Sequence, residues 1–555
     1  MLVSDSAMWG LPFISFCISL AVSLMLTPIL IASAEKLQFL DYPGGRKVHA
    51  HPIAKIGGVG FGVGVFVTIL LLIPKNQEIM GFLLGGFTIL LFGVWDDRVN
   101  LGYRMKFFGQ ILAAGLVLWF SDLKLSPWTF HIEESLPEWM SVLFALVFLV
   151  GVTNAFNLSD GLDGLAGGLA LLSLGGMIFL AQEAMNPALL IVLVALAGGI
   201  LGFLRFNTFP ARIFMGDGGS QYIGFSLGVT ALMLLDSSKG GYSLWIGLMI
   251  LGLPILDTLQ VMSRRIWKGL SPFIADRNHL HHHLIRQGLT QDQTVILIYS
   301  FQGIFVGMAL FLRWYPDWAA LGGYVLASLG VIWFFFTGYG HSRFLFQRQS
   351  FFPQQQQPDP FLEKKRPSSL SRWTLTGLEC MVPCFFVLGI LIPDSVPPDC
   401  GLLAWFLGIF LMVGKMVAKR YSIALVRLGL YTGATLMLYL LEFPPHELRA
   451  SLSMLLNGFF LLLTVLVVRT IMLYRDREFQ LTTLDYLFVV AAVVIPLTIG
   501  WKIPELNFGL FMAKMILVFF SFELMLTLRP QRVGRLQQML VAVFGVVGLS
   551  AWWSW

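Results

Sequence analysis

The sequence predicts an all-α, polytopic integral membrane protein, and three observations support that fold class. First, 57% of its 555 residues are hydrophobic and only 12% are charged, about half the charged share of a typical soluble domain. Second, apolar stretches of about 20 residues recur almost from end to end, and each is long enough to cross the hydrocarbon core as a helix. Third, these stretches are continuous rather than alternating, which favours helices over the strands of a membrane barrel.

The first part of the chain, residues 1–338, is predicted to be one membrane domain. Its first apolar segment lacks a basic leading region and a small-residue cleavage site, so we expect a retained span rather than a signal peptide. Eleven spans are predicted, over residues 11–32, 56–73, 79–94, 107–120, 140–156, 166–182, 187–204, 219–235, 242–258, 294–312 and 318–338.

A polar, basic stretch separates this domain from a second membrane module. Residues 339–373 include a run of glutamines with prolines and lysines, and they are predicted to be a cytoplasmic linker. The sequence of residues 374–555 contains no polar cluster of catalytic type and indicates no role for the module. Seven spans are predicted there, over residues 374–392, 401–417, 422–441, 451–472, 484–500, 507–528 and 537–553.

Loop charge predicts the orientation of the first domain. Its loops alternate between a basic set and a set with few bases, and the positive-inside rule places the basic set in the cytoplasm and the N-terminus outside. Every polar motif described below falls in the basic set, so the site is predicted on the cytoplasmic face. The basic set carries Lys36, Arg46, Lys47, Lys55, Arg98, Arg104, Lys106, Arg205, Arg212, Arg264, Arg265, Lys268, Arg277 and Arg286.

The most informative stretch is a run of amides, carboxylates and glycines over residues 154–168. Polar groups at a membrane boundary are costly to place and usually mark a functional site. Asn157, Asp160 and Asp163 recur at a helical spacing, which predicts that they share one face of a helix. The glycines of this run would let a ligand or a neighbouring helix approach closely. Polar capping with small-residue helix packing is the alternative.

Two further motifs suit a phosphate and a cation. Asp96 and Asp97 adjoin at a predicted helix end, and adjacent carboxylates suit a divalent cation, although an ordinary solvated helix end is the alternative. Residues 214–220 read Phe-Met-Gly-Asp-Gly-Gly-Ser and open a span. The unpaired N–H groups of that helix start would form an anion cradle, Asp217 could hold Mg²⁺ against the anion, and Phe214 could stack on a base. Such a loop alone is more often a turn.

A histidine-rich loop, residues 276–283, reads Asp-Arg-Asn-His-Leu-His-His-His. Clustered histidines suggest zinc, but no cysteine or fourth ligand lies nearby in the sequence. Because several arginines surround the loop, a cationic clamp for a pyrophosphate or a sugar is favoured over a metal cage. Residues 46–58 add bases and a glycine pair on the same predicted face, where a simple positive-inside anchor is the alternative.

Taken in order, these motifs resemble those of the polyprenyl-phosphate N-acetylhexosamine-1-phosphate transferases, with the WecA/TagO-like branch of glycosyltransferase family 4 as the nearest. The resemblance covers about residues 11–338. It implies transfer of an N-acetylhexosamine 1-phosphate, GlcNAc 1-phosphate above all, from a UDP-sugar to undecaprenyl phosphate. UMP is released, and the lipid-linked sugar pyrophosphate starts a cell-surface polysaccharide. The resemblance also implies Mg²⁺ as cofactor, with Mn²⁺ as an alternative.

The resemblance implies roles for individual residues. Asp217 and Asn157 match the metal-binding positions, and Asp163 and Phe214 match positions that hold uracil. The pair of Asp96 and Asp97 matches one assigned to the lipid phosphate or to proton removal. The remaining matched positions are Asp160, among the catalytic acids, and His49, Lys55, Asn154, Arg277, His279, His281 and His282, which would bind substrate.

Two departures from the family pattern affect these roles. Asn100 stands where this branch often has a third acidic residue. The histidine loop ends in His283 rather than arginine, so the identity of the sugar is not implied by the resemblance.

Phosphoryl transfer depends mainly on positioning and charge neutralisation. A phosphomonoester is mostly a dianion at neutral pH, so direct in-line attack is favoured over a covalent aspartyl intermediate.

Three other functions are weighed against this one. A peptidoglycan transferase using UDP-MurNAc-pentapeptide ranks lower because the histidine loop lacks an acidic residue after its last histidine. A polytopic lipid or solute transporter would place ionisable residues at mid-span, and a catalytically silent scaffold would not need the retained acids.

The expected partners are a UDP-N-acetylhexosamine, undecaprenyl phosphate and the lipid bilayer, with no nucleic acid. A homodimer, and polysaccharide-assembly proteins bound through the C-terminal module, are left open. The expected location is the bacterial cytoplasmic (inner) membrane, with the active site on its cytoplasmic face.

Overall fold

The computed structural model confirms an all-α, multi-pass membrane protein. In the part of the chain that it describes, ten helices are long and apolar enough to span a membrane, or eleven if one bent pair counts as a single span. The chain divides into two compact units. The described residues are 5–42, 51–121, 123, 137–237, 242–271 and 279–337 in the first unit, and 369–393, 396, 398–417, 422–442, 449–474 and 508–553 in the second.

The first unit is built from helices at the predicted spans and one short two-stranded sheet. The strands are β1 (Leu40–Asp41) and β2 (Ile53–Ala54). The helices are α1 (Asp5–Ser33), α2 (Gly57–Leu72), α3 (Gln77–Val99), α4 (Tyr103–Phe120), α5 (Glu138–Ser159), α6 (Leu165–Glu183), α7 (Pro187–Asn207), α8 (Gly216–Ser237), α9 (Leu244–Ile250), α10 (Gly252–Trp267), α11 (Leu280–Arg286), α12 (Gln291–Leu312) and α13 (Asp317–Thr337).

The predicted span over residues 242–258 corresponds to two helices, α9 and α10, which meet at an angle of 86°. Pro254 has no N–H to donate to the carbonyl of Ile250, so the helical ladder stops there. The side chain of Gln302 on α12 takes over the freed groups. Its amide donates to the Ile250 oxygen (2.7 Å) and accepts from the Leu253 N–H (3.2 Å), which leaves neither group unpaired within the bilayer.

Helix α8 lies at the centre of the first unit. Residues 218–235 of this helix are all buried, and α2, α3, α5 and α6 pack against it. Close approach at its start depends on glycines, since a Cβ on Gly93 would lie 2.3 Å from the Gly218 Cα and one on Gly58 would lie 2.3 Å from the Gly219 Cα. These glycines let α2 and α3 reach the backbone of α8.

The segment that leads into α2 is bonded to the segment that leads into α8. In the sheet, Leu40 of β1 pairs with Ala54 of β2. The Phe214 N–H donates to the Ala54 oxygen (2.7 Å), and the Gly57 N–H donates to the Phe214 oxygen (3.0 Å). Both segments are thereby held at the same end of the unit.

The second unit contains a helix at six of the seven predicted spans, and the seventh, residues 484–500, lies outside the described residues. The buried carboxylate of Glu379 is paired with Arg529 (3.3 Å) and Arg532. The helices are α14 (Ser369–Leu391), α15 (Pro398–Val417), α16 (Ser422–Glu442), α17 (Arg449–Tyr474), α18 (Phe508–Leu528) and α19 (Val533–Trp553).

Candidate active site

Four helices of the first unit bring polar side chains together at one end. Helices α3 and α5 end there, and α4 and α8 begin there, so residues distant in the sequence become neighbours. The Lys106 ammonium at the start of α4 lies 2.6 Å from Asp96 Oδ2 and 2.9 Å from Asp217 Oδ2. Asn157, in the last turn of α5, donates from Nδ2 to Asp217 Oδ1 (2.9 Å) and to Ser220 Oγ (2.8 Å).

The two carboxylates of this cluster differ in access. The Asp96 side chain is only 1% exposed, and its Oδ1 accepts the Leu101 N–H at 2.6 Å. The Asp217 side chain is 35% exposed although both of its oxygens have partners. Asp217 is therefore the carboxylate of the pair that a substrate or an ion can reach.

Asp97 binds protein backbone rather than facing the cluster. Its Oδ1 accepts the N–H of Asp217 (2.9 Å), and its Oδ2 accepts the N–H of Gly218 (3.0 Å). The prediction of an open anion cradle at the start of α8 is wrong for these two N–H groups, because a carboxylate of the chain already occupies them. Gly216 makes room for it, since its φ is +73° and a Cβ would lie 2.4 Å from Asp97 Oδ2.

The predicted helical face of Asn157, Asp160 and Asp163 is not formed. Helix α5 ends at Ser159 and Asp160 is its C-cap, because the glycines that follow favour a turn and Gly164 adopts a φ of +78°. Asp163 Oδ2 instead accepts the Ala211 N–H at 2.9 Å. The three residues therefore do not share one face of a helix.

The turn between α5 and α6 is fixed from both sides. The Gly164 N–H donates to Asn207 Oδ1 (3.0 Å), and the Tyr299 hydroxyl donates to the Gly164 oxygen (2.8 Å). A Cβ on Gly168 would lie 2.1 Å from that hydroxyl. The glycines of the run thus allow a close approach of α12, as the sequence predicted.

Asp160, the C-cap of α5, has a raised pKa. Burial, together with the negative charges of Asp217, Asp97 and Asp163, raises the pKa of Asp160 to about 8. The carboxyl is therefore mostly protonated at neutral pH and is able to donate a hydrogen bond.

The histidine loop is anchored by an aspartate of α10. His279 Nδ1 lies 3.0 Å from Asp257 Oδ2, and the Leu280 N–H donates to Asp257 Oδ1 (3.0 Å). One carboxylate therefore holds both the His279 ring and the first turn of α11.

His281 is a neutral residue of the loop. Its ring packs on the turn after α5, where a Cβ on Gly161 would lie 2.2 Å from His281 Nε2. Burial, with the nearby charges of His282 and His279, lowers the pKa of His281 to about 3. His281 therefore adds no positive charge to the predicted cationic clamp, which rests on the surrounding arginines.

The other predicted site residues occupy varied positions. Lys55 follows β2, and its charge acts on Asp97, while Phe214 is half-buried in the loop before α8. Asn154 lies one turn deeper than Asn157, and its amide donates to Gln110 Oε1 (2.7 Å), so it faces a neighbouring helix rather than the open end. His49 and Arg277 lie outside the described residues.

Asn100 ends α3 in the left-handed conformation, with φ 60° and ψ 69°. Asparagine tolerates this region better than most residues because its short polar side chain can bond locally. Its presence in place of a third acid is therefore compatible with a helix cap at this position.

Sequence reasoning did not assign several polar residues that complete the site. Lys106 was considered only as part of the basic loop charge, and its position at a helix start near Asp96 was the one available signal. Asp257 and Asn207 lie in apolar helices, where a lone polar side chain is a recognised signal of function. Gln110 and Gln221 carry the same signal.

The oxygen ligands at this end fit Mg²⁺ shared with a substrate. Magnesium is usually bound by one or two carboxylates together with water and phosphate oxygens. The Lys106 ammonium shows that a positive charge is accommodated between Asp96 and Asp217. Over the described ranges no three His, Cys, Asp or Glu side chains are grouped to hold a metal, so a closed protein cage of the zinc type does not fit.

Comparison with known proteins identifies the family. The model of "Glycosyl transferase family 4" matches residues 79–235, which include α5 and most of α3 and α8. A protein of Bacillus subtilis named probable undecaprenyl-phosphate N-acetylglucosaminyl 1-phosphate transferase is 33% identical over 311 residues, which cover 56% of this chain and 87% of that protein. The chain belongs to glycosyl transferase family 4.

Two other relatives carry a similar name, undecaprenyl-phosphate alpha-N-acetylglucosaminyl 1-phosphate transferase. The protein of Yersinia pestis is 31% identical and covers 53% of this chain and 84% of its own length. That of Thermotoga maritima is 30% identical and covers 53% and 89%. The resemblance found in the sequence is thereby confirmed, and the protein is a transferase.

Proposed function

We propose that this chain transfers an N-acetylhexosamine 1-phosphate, GlcNAc 1-phosphate in the first place, from a UDP-sugar to undecaprenyl phosphate. UMP is released, and the lipid-linked sugar pyrophosphate initiates a cell-surface polysaccharide. The observation that carries the proposal is the cluster of Asp96, Lys106, Asn157 and Asp217 at one end of the first unit. The names of the relatives support the same reaction.

The reaction exchanges one P–O bond for another. An oxygen of the lipid phosphate attacks the phosphorus that carries the sugar, and the bond from this phosphorus to the bridging oxygen of UMP breaks. The electron pair leaves with UMP. Because the lipid phosphate has a second pKa of about 6, it attacks as a dianion without a strong general base. The main requirements are alignment and charge neutralisation.

Asp217 and Asn157 would hold Mg²⁺ or Mn²⁺, which would supply positive charge to the pyrophosphate. The chain itself adds the Lys106 ammonium, which lies between Asp217 and Asp96. Asn157 fixes the Asp217 side chain, and Asp97 fixes the Asp217 backbone. These contacts orient the accessible carboxylate before a substrate binds.

The uridine is proposed to lie against the loop that precedes α8. Asp163 is bonded to the Ala211 N–H of this loop, and Phe214 belongs to the same loop, so a carboxylate and an aromatic ring are available to one base. The sugar and pyrophosphate are proposed to contact His279 and His282, because Asp257 anchors the start of that loop.

The site is proposed to face the cytoplasm from the bacterial inner membrane. The basic loops of the first domain lie on the same face as the cluster by the positive-inside rule. A nucleotide-sugar is a soluble metabolite of that compartment, whereas the acceptor lipid is confined to the membrane, so a site at the membrane boundary can reach both.

The test uses the full-length chain purified in detergent. Undecaprenyl phosphate is incubated with labelled UDP-GlcNAc, other UDP-hexosamines and UDP-MurNAc-pentapeptide, each with Mg²⁺ or with a chelator. We expect a lipid-linked product and an equal amount of UMP from UDP-GlcNAc, dependent on the metal. Product from the pentapeptide donor alone would favour the peptidoglycan reaction, and no product from folded protein with any donor would refute the proposal.

A further inference from the structure

We infer that three amides, the buried Gln110 and Gln221 and the half-buried Asn154, position the cluster by locking the register of α4, α5 and α8. We call these three residues the amide triad. The inference rests on the proposed function, because the residues that the triad positions are those proposed to hold the cation and the phosphates. No member of the triad is a catalytic residue.

The triad is a network of side-chain hydrogen bonds among three helices. Gln110 on α4 donates from Nε2 to Gln221 Oε1 on α8 (3.0 Å) and to Asn154 Oδ1 on α5 (3.3 Å). Asn154 donates from Nδ2 to Gln110 Oε1 (2.7 Å) and to the Val150 oxygen of its own helix (2.8 Å). Each of the three helices is therefore bonded to at least one other through an amide.

Each amide lies one helical turn from a residue of the cluster. Gln110 follows Lys106 by four residues, Asn154 precedes Asn157 by three, and Gln221 follows Asp217 by four. A turn of an α-helix contains about 3.6 residues, so each amide sits below its partner on nearly the same side of the helix. Since α4 and α8 run away from the site and α5 runs toward it, all three amides lie on its inner side.

Gln110 and Gln221 are too deeply buried to be substrate ligands, and the Asn154 amide is bonded to Gln110. Gln110 is 3% exposed and Gln221 is 2% exposed. Apolar helix faces tolerate small slides and rotations, whereas amides that must bond to each other satisfy this requirement in only one register. A single buried polar residue sets register in the same way in coiled coils. The triad can therefore fix the spacing of Lys106, Asn157 and Asp217.

A matched control is available in the same unit. Gln302 is 0% exposed and also uses its whole amide, bonding to Ser173 Oγ (3.0 Å), the Ile250 oxygen and the Leu253 N–H. It joins α6, α12 and the break between α9 and α10. Loss of this amide should destabilise the protein to a comparable extent without touching the cluster.

The test measures Mn²⁺ binding to the full-length chain by electron paramagnetic resonance, without substrates, alongside thermal unfolding. We expect Gln110→Met to weaken Mn²⁺ binding by about 10-fold to 100-fold, the usual effect of removing a residue that orients metal ligands. Gln302→Met should lower the unfolding temperature but leave Mn²⁺ affinity within about twofold, as expected for a distant site. The swap Gln110→Asn with Asn154→Gln keeps the summed side-chain length and should recover most of the affinity that Gln110→Asn loses.

A second measurement tests the register of α4 against α5 by the distance between two spin labels, without a metal. The four native cysteines are replaced, and spin labels are placed at Tyr103 and Leu158, both exposed, at the ends of α4 and α5. In Gln110→Met we expect the inter-label distance to shift or broaden by about 1.5 Å or more, the rise of one helical residue. Gln302→Met should leave it unchanged.

The outcomes separate the two proposals. Failure of the unmodified protein to bind Mn²⁺ would count against the proposed cation site, and the label distance would still decide the role of the triad. Unchanged Mn²⁺ affinity in both Gln110→Met and Gln110→Asn, where the unmodified protein binds, would overturn the inference, and so would an unchanged label distance.

Discussion

Replacing Asp97 by asparagine distinguishes a helix cap from a catalytic base. In the structure both Asp97 oxygens accept backbone N–H groups at the start of α8. Asparagine offers one oxygen and one NH₂ group, so one N–H loses its acceptor and meets another donor. Loss of a buried hydrogen bond of this kind costs about 1–3 kcal/mol. We therefore expect Asp97→Asn to lower the free energy of unfolding by about this amount.

The assay is thermal unfolding of the purified protein, followed by intrinsic tryptophan fluorescence, together with labelled-sugar transfer at a temperature where the variant is folded. We expect a lower unfolding temperature and a reduced but measurable turnover, because Asp217 is displaced rather than lost. Asp160→Asn is the matched control. Its neutral amide resembles the protonated carboxyl that burial favours at this position, so its unfolding temperature at neutral pH should not fall.

One result would refute this reasoning. If Asp97→Asn unfolds at the temperature of the unmodified protein yet shows no turnover, the carboxylate does not cap α8 in solution. It would then have to act on the substrate, as the family resemblance alone implies.

Three further predictions concern the same end of the molecule. Asp217→Asn should abolish transfer of labelled sugar phosphate while the protein still inserts and folds, and full activity would remove the metal assignment. Because the pKa of Asp160 rises from 3.8 to about 8 on folding, the folded state holds this proton more tightly. Its stabilising contribution is complete below pH 3.8, falls as the pH rises and is lost above about 8. Unfolding temperatures at pH 6 and pH 8 should therefore differ less in Asp160→Asn than in the unmodified protein, and an equal difference would contradict the assigned pKa. Gly161→Ala places a Cβ 2.2 Å from His281 Nε2 and should reduce turnover by displacing this ring, whereas Gly151→Ala on α5, which has open space around it, should retain activity in the same assay.

The spans of the first unit could be predicted because their signal is local. A run of apolar residues long enough to cross the bilayer has to form a helix, since no water is present to satisfy its backbone. The break between α9 and α10 was not predictable in this way. It depends on Gln302, which lies 49 residues beyond Leu253 in the sequence. A proline in the sequence does not by itself show whether a membrane helix kinks or ends.

Part of the cluster was predictable from the sequence, but Lys106 and the contacts among the members of the cluster were not. Asp96, Asn157 and Asp217 do come together, as their motifs indicated. The role of Asp97 depends on how closely α3 packs against α8. Gly93 and Gly218 allow this close packing, and the spacing of residues in the sequence does not predict it. The shared face expected for Asn157, Asp160 and Asp163 failed because periodicity cannot place the end of a helix when glycines follow.

The position of Lys106 has a consequence for how the ends of α3 and α8 assemble in the membrane. Two carboxylates on different helices, placed this close at the edge of a membrane, would repel each other and push α3 and α8 apart. The ammonium of Lys106 contacts both and acts as a resident counter-ion. This end of the unit can therefore assemble without a dissolved counter-ion, and the divalent cation proposed above would have to compete with the Lys106 ammonium for Asp217.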